Sequence, residues 1–192
     1  MSQLDDLQQG TYGAGGEVMD WTYYDTATLA AGTLSYRMFT IGLGGAAGRT
    51  LDITNMTSGG SIPQGQSLQV NRIKLFWCTS AAKATAYVND FYLALRRTTF
   101  EFLIPGKDSL LTTTLQELMG MGSQVALTPT VAGDNITLNT PRYHGIYPLN
   151  IPITLAALTP FEIRITCQTA FAATITGDFL TVGLNGILKR KS

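Results

Sequence analysis

Hydrophobic and polar residues alternate between Ser61 and Gly106, and the pattern changes twice within this stretch. Up to Cys78 the apolar residues recur at every second position, which predicts a strand with one buried face. Their phase slips by one residue near Asn71 and Arg72. A slip of this kind is what a β-bulge produces, so we expect one at this point of the strand.

The same stretch then changes to helical spacing. Apolar residues recur three and four positions apart, which predicts an amphipathic helix with the stripe Ala84, Tyr87, Val88, Phe91, Tyr92 and Leu95. Thr79 or Ser80 is placed to cap its start, and Arg96 and Arg97 suit the negative end of its dipole. Period two returns over Thr99–Ile104, which predicts another strand.

Short alternating segments also occupy the rest of the chain. The remaining predicted strands are Trp21–Thr26, Leu34–Ile41, Val125–Leu127, Ile136–Leu138, Ile151–Leu155, Phe161–Cys167 and Leu180–Leu188. Thr113 with Gln116 predicts a capped short helix, and Pro141–Pro152 an irregular aromatic loop. Many short strands separated by Gly and Pro turns favour an antiparallel sandwich or barrel. We predict an all-β fold, an antiparallel β-sandwich with one or two short inserted helices.

Composition changes the picture of the surface. Charged residues are 14% of the 192 residues, against roughly 25% in an ordinary soluble domain. Much of the surface is therefore expected to be buried against copies of the same chain, although a merely Thr-rich β protein would show the same deficit. With 13 basic and 13 acidic residues the net charge is zero, which argues against a chain that grips a nucleic-acid backbone.

The ends of the chain differ from its middle. Residues 1–20 are polar, acidic and Gly-rich and are predicted to form a flexible or interface-ordered arm, in which Leu4 and Leu7 could make a short amphipathic turn. Residues 21–188 are assigned to the sandwich and residues 189–192 to a basic C-terminal tail. No secretory signal is predicted, and no apolar run is long enough for a membrane-spanning helix.

Residues suited to catalysis or metal binding are scarce. His144 is the single histidine, so zinc sites with several histidines and a Ser-His-Asp triad find no support, and neither a metal nor another cofactor is predicted. Cys78 and Cys167 are interpreted as buried free thiols, with a disulfide left open. We expect no enzyme. Tyr143 and Tyr147 leave a sugar-binding surface as an alternative.

Four stretches resemble a known family: WTYYDTATLAAGT, IPQGQSLQVNRIKLFW, the predicted helix running into RRTTFEFLIPGK, and LTVGLNGILKRK. They resemble the jelly-roll capsid proteins of tailless icosahedral bacteriophages. The resemblance implies a single jelly roll that assembles, in the host cytoplasm, into the capsid shell of a virion. The neutral N-terminal arm departs from viruses whose basic arms bind the genome.

This resemblance also sets the expected partners. They are copies of the chain and other capsid proteins, with an internal membrane or the genome as a further contact of the C-terminal tail, and no small-molecule substrate. A major capsid protein is favoured over a minor vertex protein; a receptor- or carbohydrate-binding β-sandwich module is the alternative. The candidate interface residues are Leu4, Leu7, Tyr143, His144, Tyr147, Lys189, Arg190 and Lys191.

Overall fold

The computed structural model describes residues 16–45, 49–79, 86–120 and 145–191, apart from the side chain of Val88. The strands in these ranges are β1 (Glu17–Thr28), β2 (Ser35–Met38), β3 (Gln66–Cys78), β4 (Thr98–Leu103), β5 (Leu111–Thr114), β6 (Ile146–Leu155), β7 (Glu162–Cys167) and β8 (Phe179–Arg190). Helix α1 spans Tyr87–Arg97, helix α2 spans Leu115–Leu118, and a 3-10 turn spans Ala173–Ile175. The predicted mostly-β composition with short helices between strands is confirmed.

The strands form two four-stranded antiparallel sheets. One has the order β1-β8-β3-β6 and the other the order β2-β7-β4-β5. The first strand pairs with the last, the second with the second-last, and so on inward, as in one long hairpin. These pairs are β1–β8, β2–β7, β3–β6 and β4–β5. The pairs β3–β8 and β4–β7 then roll that hairpin into two sheets. This connectivity is the jelly roll, so the predicted fold class is correct.

One hydrophobic core fills the space between the sheets. Strand β4 shows the alternation most plainly, because every second residue of it is buried and the others are half-buried. The bulkiest fully buried side chains include Phe39, Phe100 and Phe102. Phe39 and Phe102 both pack against Phe161, with ring centroids 5.7 and 6.0 Å apart, which joins the second sheet to the loop after β2.

The bulge expected near Asn71 is present in β3. Val70 pairs with Gly186 and Arg72 pairs with Asn185, so Asn71 is the extra residue between two consecutive residues of β8. The close approach requires glycine on β8, because a Cβ at Gly186 would lie 1.8 Å from a backbone oxygen of β3. On the other side of β3 the pairing also shifts here, and residues 149–152 of β6 loop out of the ladder.

Several strand boundaries differ from the predicted ones. Strand β1 begins at Glu17, inside the segment assigned to the arm, because residues 17–20 pair with residues 187–190 of β8. The same pairing carries β8 through Lys189 to Arg190, into the segment assigned to the tail. Strand β2 ends at Met38 rather than Ile41, since Phe39 has a left-handed φ of 65° and turns the chain. Strand β6 begins at Ile146, within the predicted irregular loop.

The predicted helix caps are wrong in detail. Helix α1 follows Ala86, which makes no side-chain capping bond, so Thr79 does not cap it, and Ser80 lies outside the described residues. Thr114, one residue after the predicted cap, accepts a bond from the Glu117 backbone N–H at 3.2 Å at the start of α2. The basic pair at positions 96 and 97 does lie in the last turn of α1, as expected. The strands predicted at Val125–Leu127 and Ile136–Leu138 lie outside the described residues.

Candidate functional site

The edge strands β5 and β6 line an apolar groove of about 550 Å³, which we call the edge groove. Its walls include Ile104, Leu110, Leu111, Tyr147, Leu149 and Ile151. Ile151 is 82% exposed and Leu110 is 41% exposed, although both are large aliphatic side chains. Among the described residues that line the groove, Lys107 is the one that carries a charge. The edge groove can therefore accept apolar side chains from a partner, with an acidic group beside them.

The sequence of β6 explains why this edge stays open. Pro148 precedes the residues that loop out of the β3 ladder and Pro152 is the last of them, and proline cannot donate a ladder hydrogen bond. Proline and looped-out residues are devices by which an edge strand avoids adding a further strand. Side chains rather than backbone groups are thus presented at this edge.

The opposite edge of the same sheet is covered by residues 49–56, which we call the edge loop. Asn55 imitates a neighbouring strand: its Oδ1 accepts from the Tyr24 backbone N–H and its Nδ2 donates to the Thr22 carbonyl, both at 2.8 Å. Thr54 forms an isolated bridge with Asp25 of β1. These bonds use the outward-facing backbone groups of Thr22 and Tyr24, so a further strand cannot pair with this part of β1.

The edge loop carries an exposed apolar side chain of its own. Leu51 is 64% exposed and stands beside the exposed Asp52. The Leu51 carbonyl accepts a hydrogen bond from the Tyr24 hydroxyl, and the Ile53 backbone N–H donates to the Thr50 carbonyl at 3.0 Å. The backbone under Leu51 is therefore fixed, while its side chain lies in solvent.

A buried ion pair fastens the edge loop to the core. Asp25 is completely buried, forms an ion pair with Arg49, and accepts backbone N–H groups from Phe39 at 2.5 Å and Thr26 at 3.0 Å. Burial raises the pKa of the Asp25 carboxyl above its ordinary value, and the Phe39 N–H and Arg49 offset only part of that rise. The carboxylate ties β1, the end of β2 and the edge loop together.

A third group of exposed apolar residues lies on the outer face of the β1-β8-β3-β6 sheet. Phe76 is 52% exposed and Phe179 is 41% exposed, and Phe179 pairs with Cys78, which is also exposed. The register places the two aromatic residues diagonally opposite on neighbouring strands. The expectation that Cys78 is buried is wrong, because it lies at the end of β3 on the solvent face, whereas Cys167 is buried. Both are free thiols.

The polar depression on that outer face is held together by its own hydrogen bonds. It is lined by residues that include Asp20, Thr22, Lys74 and Asn185. The Asn185 amide donates to Asp20 Oδ1 at 3.1 Å and to Thr22 Oγ1 at 2.9 Å, and Lys74 donates to the same hydroxyl at 3.3 Å. These contacts stabilise the pairing of β1 with β8 and favour a structural role over ligand binding.

Helix α1 is anchored by a buried carboxylate. Asp178 accepts hydrogen bonds from Trp77 Nε1 at 3.0 Å and from the Tyr87 hydroxyl at 2.8 Å. Burial first, and then the bond to Asp178, raises the pKa of Tyr87 well above its usual range. Thr174 adds a hydroxyl bond to Asp90 at 2.6 Å. The cluster fixes the start of α1 against the ends of β3 and β8.

The structure separates the candidate interface residues named from the sequence. Leu4, Leu7, Tyr143 and His144 lie outside the described residues. Tyr147 lies in the edge groove, next to Ile73 of β3. Lys189 pairs with Ser67, which lies six residues before Ile73 on the same strand β3. Lys189 is therefore about 20 Å from Tyr147 along the strand.

The three basic residues at the end of the chain do not form one tail. Arg190 belongs to β8 and forms an ion pair with Glu17 at 3.6 Å, so its guanidinium already has an acidic partner. Lys189 is half-buried in the same strand, and Lys191 follows it as an exposed residue whose backbone N–H donates to Gly65. Of the three, Lys191 is the one that remains outside the sheet.

Sequence reasoning missed the side chains that shape the two edges. Leu51, Leu110 and Ile151 were not among the candidates, although they are among the most exposed large apolar residues described. Their signal in the sequence is weak, because single apolar residues in polar or Pro-containing segments also occur in loops that pack inward. A leucine directly before an aspartate in a turn-rich segment was the available clue at Leu51.

Within the described ranges, no group of three or more His, Cys, Asp and Glu residues is placed to hold a metal ion. No helix there has the length and apolar character needed to cross a membrane. No protein-family model matches the chain, and no curated protein sequence matches it either.

Proposed function

We propose that this chain is a structural subunit of an icosahedral virus capsid, in which copies of one jelly roll form the shell. The observation that carries the proposal is the placement of exposed apolar residues on three separate sides of the sandwich. Leu51 lies at the β1 edge, Ile151 at the opposite edge, and Phe76 on the outer face between them. A dimer needs one such patch, whereas a shell subunit meets several neighbours.

The low charge of the sequence and the jelly-roll connectivity support the same function. A shell subunit buries much of its surface against neighbours, and interfaces of standard size bury on the order of 1,600 Å² in total. A surface with 14% charged residues is suited to burial. A jelly roll alone does not decide function, since the fold also occurs in lectins and enzymes. The three apolar sides are what favour a shell over those alternatives.

Within this proposal the protein is a virion component assembled in the host cytoplasm, and the major capsid role is favoured over a minor vertex role. Its partners are copies of itself and other capsid proteins, and it performs no catalysis. Arg72, Lys74 and Lys189 lie on the outer face of the first sheet. Contact with the genome or an internal membrane would use this face with Lys191, rather than a separate tail.

The particle state of the purified chain tests this function. Negative-stain microscopy and native mass measurement should show shells, rings or capsomers at micromolar concentration. Because the contacts are mainly apolar, moderate salt should not dissolve the particles. A chain that stays monomeric at high concentration, in the presence and absence of salt, would contradict the proposal.

A receptor- or carbohydrate-binding module is the second candidate. The observation that favours it is Tyr147 in the edge groove, whose volume of about 550 Å³ lies within the usual range for ligand pockets. A glycan array tests this candidate, with Tyr147→Ala as the variant that should lose any binding found. An array without hits would leave the shell subunit as the remaining proposal.

A further inference from the structure

We propose that the edge groove binds the edge loop of a second copy of this chain, with Leu51 inserted as the central apolar side chain. The inference rests on the proposed function, because it names the partner and the contact through which subunits join. The two surfaces lie on opposite edges of the β1-β8-β3-β6 sheet, so each subunit offers one of each.

The apolar chemistry of the two surfaces is complementary. Leu51 leaves 64% of its surface in water, and the walls of the groove expose Ile151 at 82% and Leu110 at 41%. Inserting the first side chain between the other two removes all three from water at once. Apolar burial is the main favourable contribution to most protein associations. No isolated strand edge has to be paired, since prolines and looped-out residues block the β6 ladder.

The charges match as well. Asp52 follows Leu51 directly and is exposed, and Lys107 carries a charge at the groove, alone among the described residues that line it. An inserted edge loop would bring the carboxylate to the same rim as the ammonium group. Opposite charges at a rim add mainly to specificity and to the rate of association, and fix the orientation of the inserted loop.

The edge loop is also prepared for binding. The Arg49–Asp25 ion pair, the Tyr24 hydroxyl on the Leu51 carbonyl and the Asn55 amide hold its backbone against β1. A loop that is fixed before association loses little conformational entropy when it binds. The buried charge at Asp25 thus has a function beyond the fold, because it presents Leu51 in one position.

A contact between opposite edges has a definite consequence for assembly. The loop of one subunit enters the groove of the next, whose own loop remains available for a third. Such heterologous contacts give closed rings when the rotation closes and filaments when it does not. This contact would therefore join the copies around a ring of a shell, rather than pair them as two-fold dimers.

Complementation between two variants tests the inference. Leu51→Asp keeps the groove and loses the loop contact, and Ile151→Asp keeps the loop and loses the groove. At the lowest concentration at which the wild type assembles, each alone should be a monomer, because association is weakened at least about tenfold. Mixed in equal amounts, they should form a heterodimer that grows no further, because only one intact loop and one intact groove meet. Analytical ultracentrifugation and native mass measurement distinguish these states.

Two controls accompany the mixture. Leu158→Asp changes a leucine that is 61% exposed and lies outside both surfaces, so its presence in both partners should leave the heterodimer intact. Lys107→Glu should weaken association roughly threefold, and combining it with Asp52→Lys should restore it, because an exposed ion pair contributes little and the swap preserves it. Circular dichroism of each variant checks that the sandwich is folded.

The outcomes separate the inference from the proposed function. A wild-type chain that never assembles contradicts both. Wild-type shells with single variants that also form shells, or a mixture that stays monomeric, contradict the inference alone. If Leu51→Asp assembles normally and deletion of residues 1–15 abolishes assembly, the N-terminal segment occupies the groove and the inference is overturned.

Discussion

Replacing Arg49 with methionine should destabilise the sandwich far more than replacing an arginine at an exposed surface position. The substitution keeps much of the apolar stem and removes the guanidinium that pairs with Asp25. Asp25 then retains only the backbone N–H groups of Phe39 and Thr26 among these partners, while it remains completely buried. A buried carboxylate without its counter-charge is costly, because water cannot replace the lost partner.

The size of the effect follows from the geometry. Removing one partner of a buried ion pair costs about 3–5 kcal/mol of unfolding free energy. The Arg49 side chain is 17% exposed, so some water can reach the site, and we expect about 3 kcal/mol, the lower end of that range. With a urea m-value of roughly 2 kcal/mol/M, the midpoint of unfolding should fall by about 1.5 M.

The loss should also depend on pH. The pKa of Asp25 is already raised by burial, and Arg49 is one of the groups that hold it down, so the variant should raise it further. A carboxyl whose folded pKa is raised favours folding below its unfolded pKa, and that contribution is lost as pH rises through the folded pKa. The difference in unfolding free energy between wild type and variant should therefore reach its full value at pH 7 and be smaller at pH 4.

Urea unfolding followed by tryptophan fluorescence measures both quantities. The Ile151→Asp background keeps the chain monomeric under the inference above, so that assembly does not add to the apparent stability. Arg37→Met is the matched control, since it removes a guanidinium whose side chain is 65% exposed and which pairs with Glu162. That control should cost less than about 1 kcal/mol. A midpoint shift for Arg49→Met no larger than this control, or unchanged between the two pH values, would refute the reasoning.

Three further changes test the core, the bulge and the anchor of helix α1. Phe102→Ala should lower the unfolding free energy by about 3–5 kcal/mol in urea titrations, because the side chain is fully buried. Gly186→Ala should prevent folding by circular dichroism, since its Cβ would lie 1.8 Å from a backbone oxygen, whereas Gly183→Ala should fold, with its nearest contact a side chain at 3.1 Å. Tyr87→Phe should cost about 1.5–3 kcal/mol through the lost bond to Asp178. The pKa of Tyr87 is raised in the folded protein, so the protonated hydroxyl contributes its full stability below the ordinary pKa near 10, and this contribution is lost as the pH rises above it. The unfolding free energy of the wild type should therefore lose its advantage over that of Tyr87→Phe in strongly alkaline titrations.

The sequence predicted the parts of the fold that burial on one face determines. The alternation in β3 and its slip at Asn71 were readable, because a one-residue insertion moves every later side chain to the opposite face. Strand β7, with every second residue buried, is equally clear. These features come from the same physical demand, that one face of a sheet must leave water.

Polar strand ends and edges could not be predicted in the same way. Residues 17–20 and 189–190 become ordered as partners in the β1–β8 ladder, a long-range pairing that local alternation does not report. Strand β6 carries two prolines, which in isolation indicate a loop, yet its edge position tolerates them. Asp25 and Asp178 were missed because a single acid in an apolar segment gives no sign of the side chains that bind it, which lie 24 residues away for Asp25 and 91 or more residues away for Asp178.

Buried and exposed leucines illustrate why an interface is harder to find than a core. Leu68 and Leu51 have the same side chain, and both lie in segments rich in polar residues, but one is fully buried and the other 64% exposed. Only the three-dimensional placement distinguishes them. If Leu51 were merely tolerated in water, nothing would require a rigid loop beneath it. The buried Arg49–Asp25 pair, costly to desolvate, fixes that loop at the edge opposite a groove of matching chemistry, which is the arrangement expected when the exposed leucine is buried by a neighbouring copy.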